Sequence, residues 1–393
     1  MEFGFSPEEE LFRQEVREFI RKEFPSELRW KFGIAHSPWV QSHEGDEWEF
    51  VKTMRRKFGA KGYLSVSWPE KYGGKNSLIL RTIVDEEMMY HNCPGIDHIG
   101  VTFFAPTLIK FGNEDQKQKY LPGIAKGETF WCELLSEPDS GSDLASLKTQ
   151  AVEDGDYYII NGQKTWTTGA HHTQMGFILA RTDPTLPKHK GLSYFIIDMS
   201  TPGITVRPLI DMAGEHEFNE VFFDNVRVPK ENMVWGKNKG WQVTLMTLDF
   251  ERFSHGIYPS IFGYLTSLVQ YIKQSGDKVH PALRHQLAQL FTECNMAKMI
   301  HYRAMWMLSQ GKPCTYEVAI DKMYSGELSQ RASDFGMQVL GQYGLLNQNS
   351  KCVRLNGWPS RYYLNAASIT IAAGTSEIDR NVVAIQGLGL PVE

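Results

Sequence analysis

Several short stretches of this chain combine residue types that can hold a ligand or move a proton. In Ser136-Glu137-Pro138-Asp139-Ser140-Gly141-Ser142-Asp143, the small residues Ser140, Gly141 and Ser142 could turn backbone N–H groups toward one anion, as nests do. The same residues would serve equally well in an ordinary polar turn. In Gly374-Thr375-Ser376-Glu377-Ile378 a threonine stands where a helix start is capped, and a helix N-terminus favours phosphate. Gln338-Val339-Leu340-Gly341-Gln342-Tyr343-Gly344 reads as a helix C-cap with both glycines left-handed. Two acids whose side chains could accept a proton are Glu251, in Leu248-Asp249-Phe250-Glu251-Arg252-Phe253, and Asp97, in Pro94-Gly95-Ile96-Asp97-His98. A surface glutamate paired with a cation and a plain loop acid are the competing readings.

The elements that must position these residues follow a helical, β, helical order. Ser6 can cap, Pro7 suits the first helical position, Glu9 completes a capping box, and Phe12, Val16, Phe19 and Ile20 recur at helical spacing. Residues 47–60 and 79–92 also read as helix, and Phe111-Gly112-Asn113-Glu114 as one helix end followed by another start. From about Phe130 short β-rich runs appear: Leu147–Val152, Tyr157–Ile160, Gly176–Ala180, Leu192–Asp198, Ile204–Pro208 and Val221–Val228. Turn signals at Asp154-Gly155-Asp156, Asn161-Gly162 and Pro202-Gly203 separate them. After Gly240 the residues Trp241, Leu245, Leu248, Phe253 and Ile257 form an apolar helical stripe, with further helices over 281–310, 314–342 and about 361–388. The boundaries expected are 1–129 for an N-terminal helical domain, 130–235 for a central β-domain and 236–393 for a C-terminal helical bundle. The stretch from Pro25 to Glu47 reads as the longest loop.

Composition narrows the function classes. The 393 residues are 42% hydrophobic, enough for a sizeable core and long enough for two or three compact units. A net charge of −5 and a pI near 6.2 leave no footprint for nucleic acid or an anionic membrane. Cys93, Cys132, Cys294, Cys314 and Cys352 are widely separated and odd in number, which favours reduced, mostly buried thiols over a disulfide framework or zinc site. His91, His171 and His172 lack metal spacing and read as structural or exposed. With no basic and apolar leader and no run of membrane-span length, the expectation is a soluble cytoplasmic protein.

Taken together, Ser136–Asp143, Asn161-Gly162-Gln163-Lys164-Thr165-Trp166-Thr167-Thr168, Gln338–Gly344 and Ala372-Ala373-Gly374-Thr375-Ser376-Glu377 resemble the acyl-CoA dehydrogenase family of flavoenzymes along essentially the whole chain. The resemblance implies an α+β fold with an N-terminal helical domain, a central β-barrel domain and a C-terminal four-helix bundle. It also implies FAD bound between subunits of a homotetramer or α2β2 hetero-oligomer, and an electron-transfer flavoprotein as electron acceptor. By that resemblance Leu135, Ser136, Gly141, Ser142, Trp166, Thr168, Gln338, Gly341, Thr375 and Glu377 contact the cofactor. Ser142, Asp249, Arg252 and Gly374 contact the acyl-CoA. Trp166 would cover the flavin and Thr168 reach its N5 side, where a core tryptophan is the bland alternative.

This chain departs from the family at three places. Ala373 stands where many members carry the glutamate that removes the substrate α-proton, Gln342 replaces a glycine, and Val279-His280-Pro281-Ala282-Leu283-Arg284 occupies the place of an Arg-x-x-Phe-Gly motif. In the isovaleryl and long-chain members the base precedes the arginine matching Arg252, so the resemblance transfers that role to Glu251. The expected reaction is formation of a 2,3-enoyl-CoA, with hydride passing to flavin N5. Trp68-Pro69-Glu70-Lys71-Tyr72-Gly73-Gly74 and Pro281–Leu287 resemble the bacterial branch that acts on bulky, cyclic or dicarboxylic acyl groups. Two alternatives stand beside this one: an oxidase or atypical cyclic acyl-CoA dehydrogenase using Asp97, where Asp97 borders the acyl pocket, and a non-catalytic FAD-supporting subunit of a hetero-oligomer.

Overall fold

The computed structural model describes residues 4–32, 44–276 and 280–391. Its first helix, α1 (Pro7–Glu23), starts as its residues dictate. Ser6 Oγ accepts the Glu9 N–H at 3.2 Å, and the Glu9 carboxylate accepts the Ser6 N–H at 2.7 Å. Then come α2 (Arg29–Phe32), α3 (Gly45–Ala60), α4 (Leu78–His91), α5 (Ala105–Phe111) and α6 (Glu114–Ala125). The strands are β1 (Trp131–Leu134), β2 (Gln150–Asp154), β3 (Tyr157–Lys164), β4 (Met175–Arg181), β5 (Leu192–Asp198), β6 (Ile204–Leu209), β7 (Phe218–Pro229) and β8 (Met233–Val234). The chain closes with α7 (Gly240–Ser254), α8 (Tyr258–Ser275), α9 (Pro281–Ser309), α10 (Thr315–Leu340), α11 (Trp358–Asn365) and α12 (Ser376–Val382). Residues 33–43 of the expected long loop lie outside the described residues.

The chain forms two compact units, one drawn from Met1–Pro38, Gly74–Pro94 and Arg252–Glu393, the other from Trp39–Gly73 and Gly95–Glu251. In the first unit α8, α9 and α10 bury Ile261, Leu265, Leu268, Ala297, Leu328 and Phe335, and α4 packs on α8 and α9. A helix from the first third of the sequence thus completes this bundle. Each such large side chain withdrawn from water contributes about 1.5–3 kcal/mol. Gly336 is required here, because a Cβ would lie 1.7 Å from the Tyr264 hydroxyl oxygen. Tyr264 itself sits edge-on to Trp358 and Tyr362 at 4.9 and 4.6 Å.

In the second unit the eight strands form one mixed sheet in the order β6-β7-β3-β2-β4-β5-β8, with β1 added parallel on β4. Ile160, Ile178, Phe195, Val221 and Val228 fill its apolar core. Asn161-Gly162, expected to be a turn, instead lies inside β3, where the register with β7 shifts between Ile160 and Gly162. Gly162 has φ +151°, and a Cβ there would come within 2.7 Å of Thr149 Cα, so the glycine permits a bulge rather than a reversal.

Two helical expectations also change. The expected helix over 361–388 is broken into α11 and α12, with Ala373 and Gly374 both left-handed in between, at φ +57° and +94°. On α7, Leu245 of the expected apolar stripe is 44% exposed, whereas Val243, Thr244 and Thr247 are buried. Thr244 and Thr247 donate their hydroxyls to the carbonyls of Gly240 and Val243 at 2.9 and 3.1 Å, which leaves their methyl groups to pack.

Candidate functional site

The second unit carries the loop that follows β1. Glu137 and Ser140 exchange both backbone hydrogen bonds at 3.0 Å across Pro138-Asp139, making a tight reversal. Glu137 then ties the loop down: its carboxylate accepts the N–H of Lys148 at 2.6 Å and of Thr149 at 2.9 Å, and meets Lys164 Nζ at 2.9 Å. Lys164 also donates to the Leu135 carbonyl at 2.8 Å, and the Thr165 N–H donates to Ser136 O at 2.9 Å. Burial works against the Glu137 charge, but Lys164 and the Thr149 and Lys148 donors outweigh it and hold the carboxyl below its usual range. Burial pulls Lys164 down to about 8 despite Glu137. Ser140 spends its N–H on Glu137 and its hydroxyl on Asp143 O at 2.8 Å, so the expected anion nest narrows to Gly141 and Ser142. Both are exposed, and nothing lies within 4 Å of where a Gly141 Cβ would be.

Trp166 is 58% exposed, which rules out the core-tryptophan alternative, and its backbone is left-handed at φ +59°. A bulky residue in that region costs about 1–3 kcal/mol. The cost is met by the chain just beyond: Thr167 N donates to Asn219 O at 3.0 Å, Asn219 Nδ2 returns to Thr167 O at 3.0 Å, and Gly169 N donates to Glu217 O at 2.8 Å. Thr168 is half-buried beside it.

Asp97 sits in a different setting from the one expected. It is 2% exposed, accepts the N–H groups of Gly100 at 3.1 Å and Trp131 at 3.0 Å, and lies 3.4 Å from the buried Arg55 guanidinium. These partners let Asp97 pin a loop to the start of β1, and burial outweighs the Arg55 guanidinium and raises the proton affinity of its carboxyl. Glu251 is 9% exposed on α7, one turn beyond Thr247. Sequence reading missed its neighbour. Glu133 on β1 carries an Oε1 sealed from solvent without a hydrogen bond, and burial, with the charge of Glu251 adding to it, raises its proton affinity far above the ordinary. Strand alternation was the available signal, since Cys132 and Leu134 face the sheet core and Glu133 cannot. Asp249 is half-buried on the same helix.

Glu44, His171 and His172 bring three ligand atoms within 4.8 Å of one another, contrary to the reading of these histidines as lacking metal geometry. Their protons argue against a metal. Asn219 Nδ2 donates to Thr167 O and to His171 Nδ1, each at 3.0 Å, while its Oδ1 accepts from His216 Nε2 at 2.9 Å. His171 Nδ1 is therefore an acceptor, so its proton lies on Nε2, the atom 3.9 Å from Glu44.

The first unit carries the remaining candidates. Asp379 is fully buried between Lys322 Nζ at 3.4 Å and Arg252 Nε at 3.6 Å, and Lys322 also donates to the Gly374 carbonyl. This network braces the loop that holds Ala373 and Gly374. Thr375 Oγ1 accepts the Ile378 N–H at 3.2 Å and caps α12, with Glu377 exposed in its first turn. At the end of α10, Gly341 is left-handed at φ +53°, but Gly344 is not; a Cβ there would press on Met337 Sδ at 3.3 Å. Gln338 is exposed and donates to Asp334 at 2.6 Å; Gln342 and Arg284 are exposed too.

Comparison with known proteins agrees with this arrangement. Sequence models described as acyl-CoA dehydrogenase N-terminal, middle and C-terminal domains match residues 6–128, 132–226 and 238–388. The acyl-CoA dehydrogenase IpdE1 of Mycobacterium tuberculosis is 32% identical over 388 residues, covering 98% of each chain. Among solved structures, the Tcur3481-Tcur3483 steroid ACAD superposes with a TM-score of 0.91 at 26% identity, covering all of both chains. The ChsE4-ChsE5 complex from Mycobacterium tuberculosis does so with a TM-score of 0.86 at 29% identity, again over all of both chains.

Proposed function

This chain belongs to the acyl-CoA dehydrogenase family, an oxidoreductase acting on CH–CH bonds, and we propose that it converts a bulky, ring-bearing acyl-CoA thioester to the 2,3-enoyl-CoA with Glu251 as base. The observation that carries this reading is the pairing of two facts: Ala373 offers no acid, whereas Glu251 presents a carboxylate that is almost wholly withdrawn from water. A thioester α-proton is weakly acidic, and a desolvated carboxylate is a stronger base than one in water. Likeness to a steroid ACAD supports a ring-bearing acyl group, and the small side chain of Ala373 is consistent with one.

The residues present fit FAD, the cofactor of this family. Trp166 offers an exposed indole on a braced loop, Gly141 leaves its side-chain position open, and Leu135 and Ser136 are fixed by Lys164 and Thr165. Leu135, Ser136, Gly141, Ser142, Trp166 and Thr168 would hold FAD, with Gln338, Gly341, Thr375 and Glu377 as further contacts, and when bound it would supply the hydride acceptor. Glu251 takes the α-proton. Asp249, Arg252, Ser142 and Gly374 bind the acyl-CoA, with Arg252 oriented by Asp379. The proposed electron acceptor is an electron-transfer flavoprotein.

A second reading, a FAD-supporting subunit whose partner does the chemistry, draws on the likeness to the ChsE4-ChsE5 complex and on Gln342. One experiment separates the two. The purified chain is mixed with aliphatic, aromatic and polycyclic acyl-CoAs while flavin bleaching and molecular mass are followed. Bleaching that is lost in Glu251→Gln with flavin retained supports the base assignment. Equal bleaching by that variant overturns it, and a chain that bleaches only with a second subunit favours the other reading. No described helix is long and apolar enough to cross a membrane.

A further inference from the structure

We propose that His301 and Asp321 form a charged pair that seats the turn between α7 and α8, and that His301 is thereby a positioning residue for Arg252. The seat is a property of the first unit. Its consequence for acyl-CoA binding rests on the role proposed for Arg252 above.

His301 on α9 donates its Nδ1–H to Asp321 Oδ2 on α10 at 2.6 Å, and both side chains are buried. Asp321 Oδ1 is sealed from solvent without a hydrogen bond, so among the described residues the imidazole is what balances the carboxylate charge.

The chain leaving α7 rests on this pair from two directions. Phe253 stacks on the His301 ring, with centroids 4.7 Å apart and planes 18° from parallel. Gly256 crosses directly over the hydrogen bond: a Cβ there would lie 2.1 Å from His301 Nδ1 and 2.8 Å from Asp321 Oδ2, so only a glycine allows the approach. The turn is short and internally bonded. The Arg252 carbonyl accepts the His255 N–H at 3.1 Å, and the Phe253 carbonyl accepts the Gly256 N–H at 3.3 Å. Arg252 is therefore held through this turn on one side and by Asp379, 3.6 Å from its Nε, on the other.

The surroundings favour the imidazolium. Burial opposes charge on His301, but Asp321, with Glu86 and Asp85 of α4 adding to it, outweighs burial and raises the proton affinity of the ring. Nearby cations meet other acids: Arg81 meets Asp85, Arg13 meets Glu86 at 2.5 Å, Arg303 meets Glu317 at 3.7 Å, and Lys322 meets Asp379 at 3.4 Å. From α8 the Tyr258 ring packs 5.7 Å from the imidazole, and His255 of the turn is buried as well. A folded value raised above the unfolded one means that the stabilisation is fully present below the unfolded histidine value and is lost as pH rises through the folded value. Rising pH is thus expected to loosen the turn that carries Arg252.

Two measurements on the purified, FAD-loaded protein test the pair and its role separately. Melting temperatures of the wild type, His301→Gln and Asp321→Asn are compared from about pH 6 to about pH 9. Asp321→Asn preserves shape and an acceptor for Nδ1–H, so it serves even where His301→Gln does not fold. The wild-type advantage over Asp321→Asn should shrink as pH rises, and an advantage that stays level or grows overturns the charged pair. The second measurement is the rate of flavin bleaching against the concentration of one aromatic acyl-CoA. At about pH 6 the half-saturating concentration should rise about tenfold in Asp321→Asn while the maximal rate changes less than about twofold, and the wild type should approach the variant as pH rises. A loss of maximal rate alone, or a binding defect equal at every pH, overturns the positioning role. Arg252→Lys is the control: if it binds the same acyl-CoA as tightly as the wild type, the role of Arg252 falls and the positioning role with it, while a pH-dependent melting difference still upholds the pair.

Discussion

Lys164 Nζ lies 2.9 Å from Glu137 Oε1, and the two side chains are 0% and 7% exposed. The pair joins the end of β3 to the loop after β1, and through the Leu135 carbonyl it sets the backbone beside which FAD is expected to lie. Breaking a buried pair strands one charge and typically costs about 3–5 kcal/mol. Lys164→Met should therefore lower the melting temperature by about 10 °C and reduce the flavin carried through purification. Differential scanning calorimetry with absorbance of the purified protein checks both, and an unchanged melting point would show the pair to be replaceable.

Trp166 predicts an uncoupling of stability from binding. Its side chain is 58% exposed and its φ of +59° suits glycine, so Trp166→Gly should change stability by less than about 1 kcal/mol. The same change removes the indole proposed to cover FAD, and the apparent Kd for FAD should rise about tenfold or more. Thermal melts of the FAD-free chain and fluorescence titration with FAD give the two numbers separately.

Asp97 predicts the reverse pattern. Asp97→Asn leaves the buried Arg55 without its carboxylate and should destabilise the chain by about 3–5 kcal/mol, while bleaching per bound flavin stays at the wild-type rate. Loss of bleaching with stability intact would restore Asp97 as a site residue.

Acid sensitivity should arise in part from the tie between α1 and α4. Glu87 meets Arg17 at 2.7 Å and Arg13 at 3.2 Å. Burial opposes its charge, but the two guanidinium groups outweigh burial and hold it below the usual carboxylate range. A depressed folded value means that the stabilisation is fully present above the unfolded carboxylate range and is lost as pH falls through the folded value. The stability difference between wild type and Glu87→Gln should thus be constant near neutrality and shrink in acid. Urea midpoints taken from pH 7 down to pH 3 measure it, and a difference that grows in acid would refute the sign.

Local signals alone decided much of this protein. The capping box at Ser6 and Glu9 needs only residues within one turn, and β5 runs from Leu192 to Asp198 as its apolar run indicates. The resemblance carried by Ser136–Asp143 and Asn161–Thr168 was likewise legible, because those residues act through contiguous backbone. What the sequence could not display were contacts across long chain separations. Asn161-Gly162 looks like a reversal until Thr149 and β7 are seen to demand a bulge. Asp97 looks like a loop acid until Arg55 and the Trp131 N–H claim it. Glu133 reads as one charge in an apolar strand, and only the fold shows that burial, with the charge of Glu251 adding to it, raises its proton affinity. Capping and alternation are short-range steric and hydrogen-bonding effects, whereas the proton affinity of a carboxyl depends on which distant groups the fold places around it and how much water it removes.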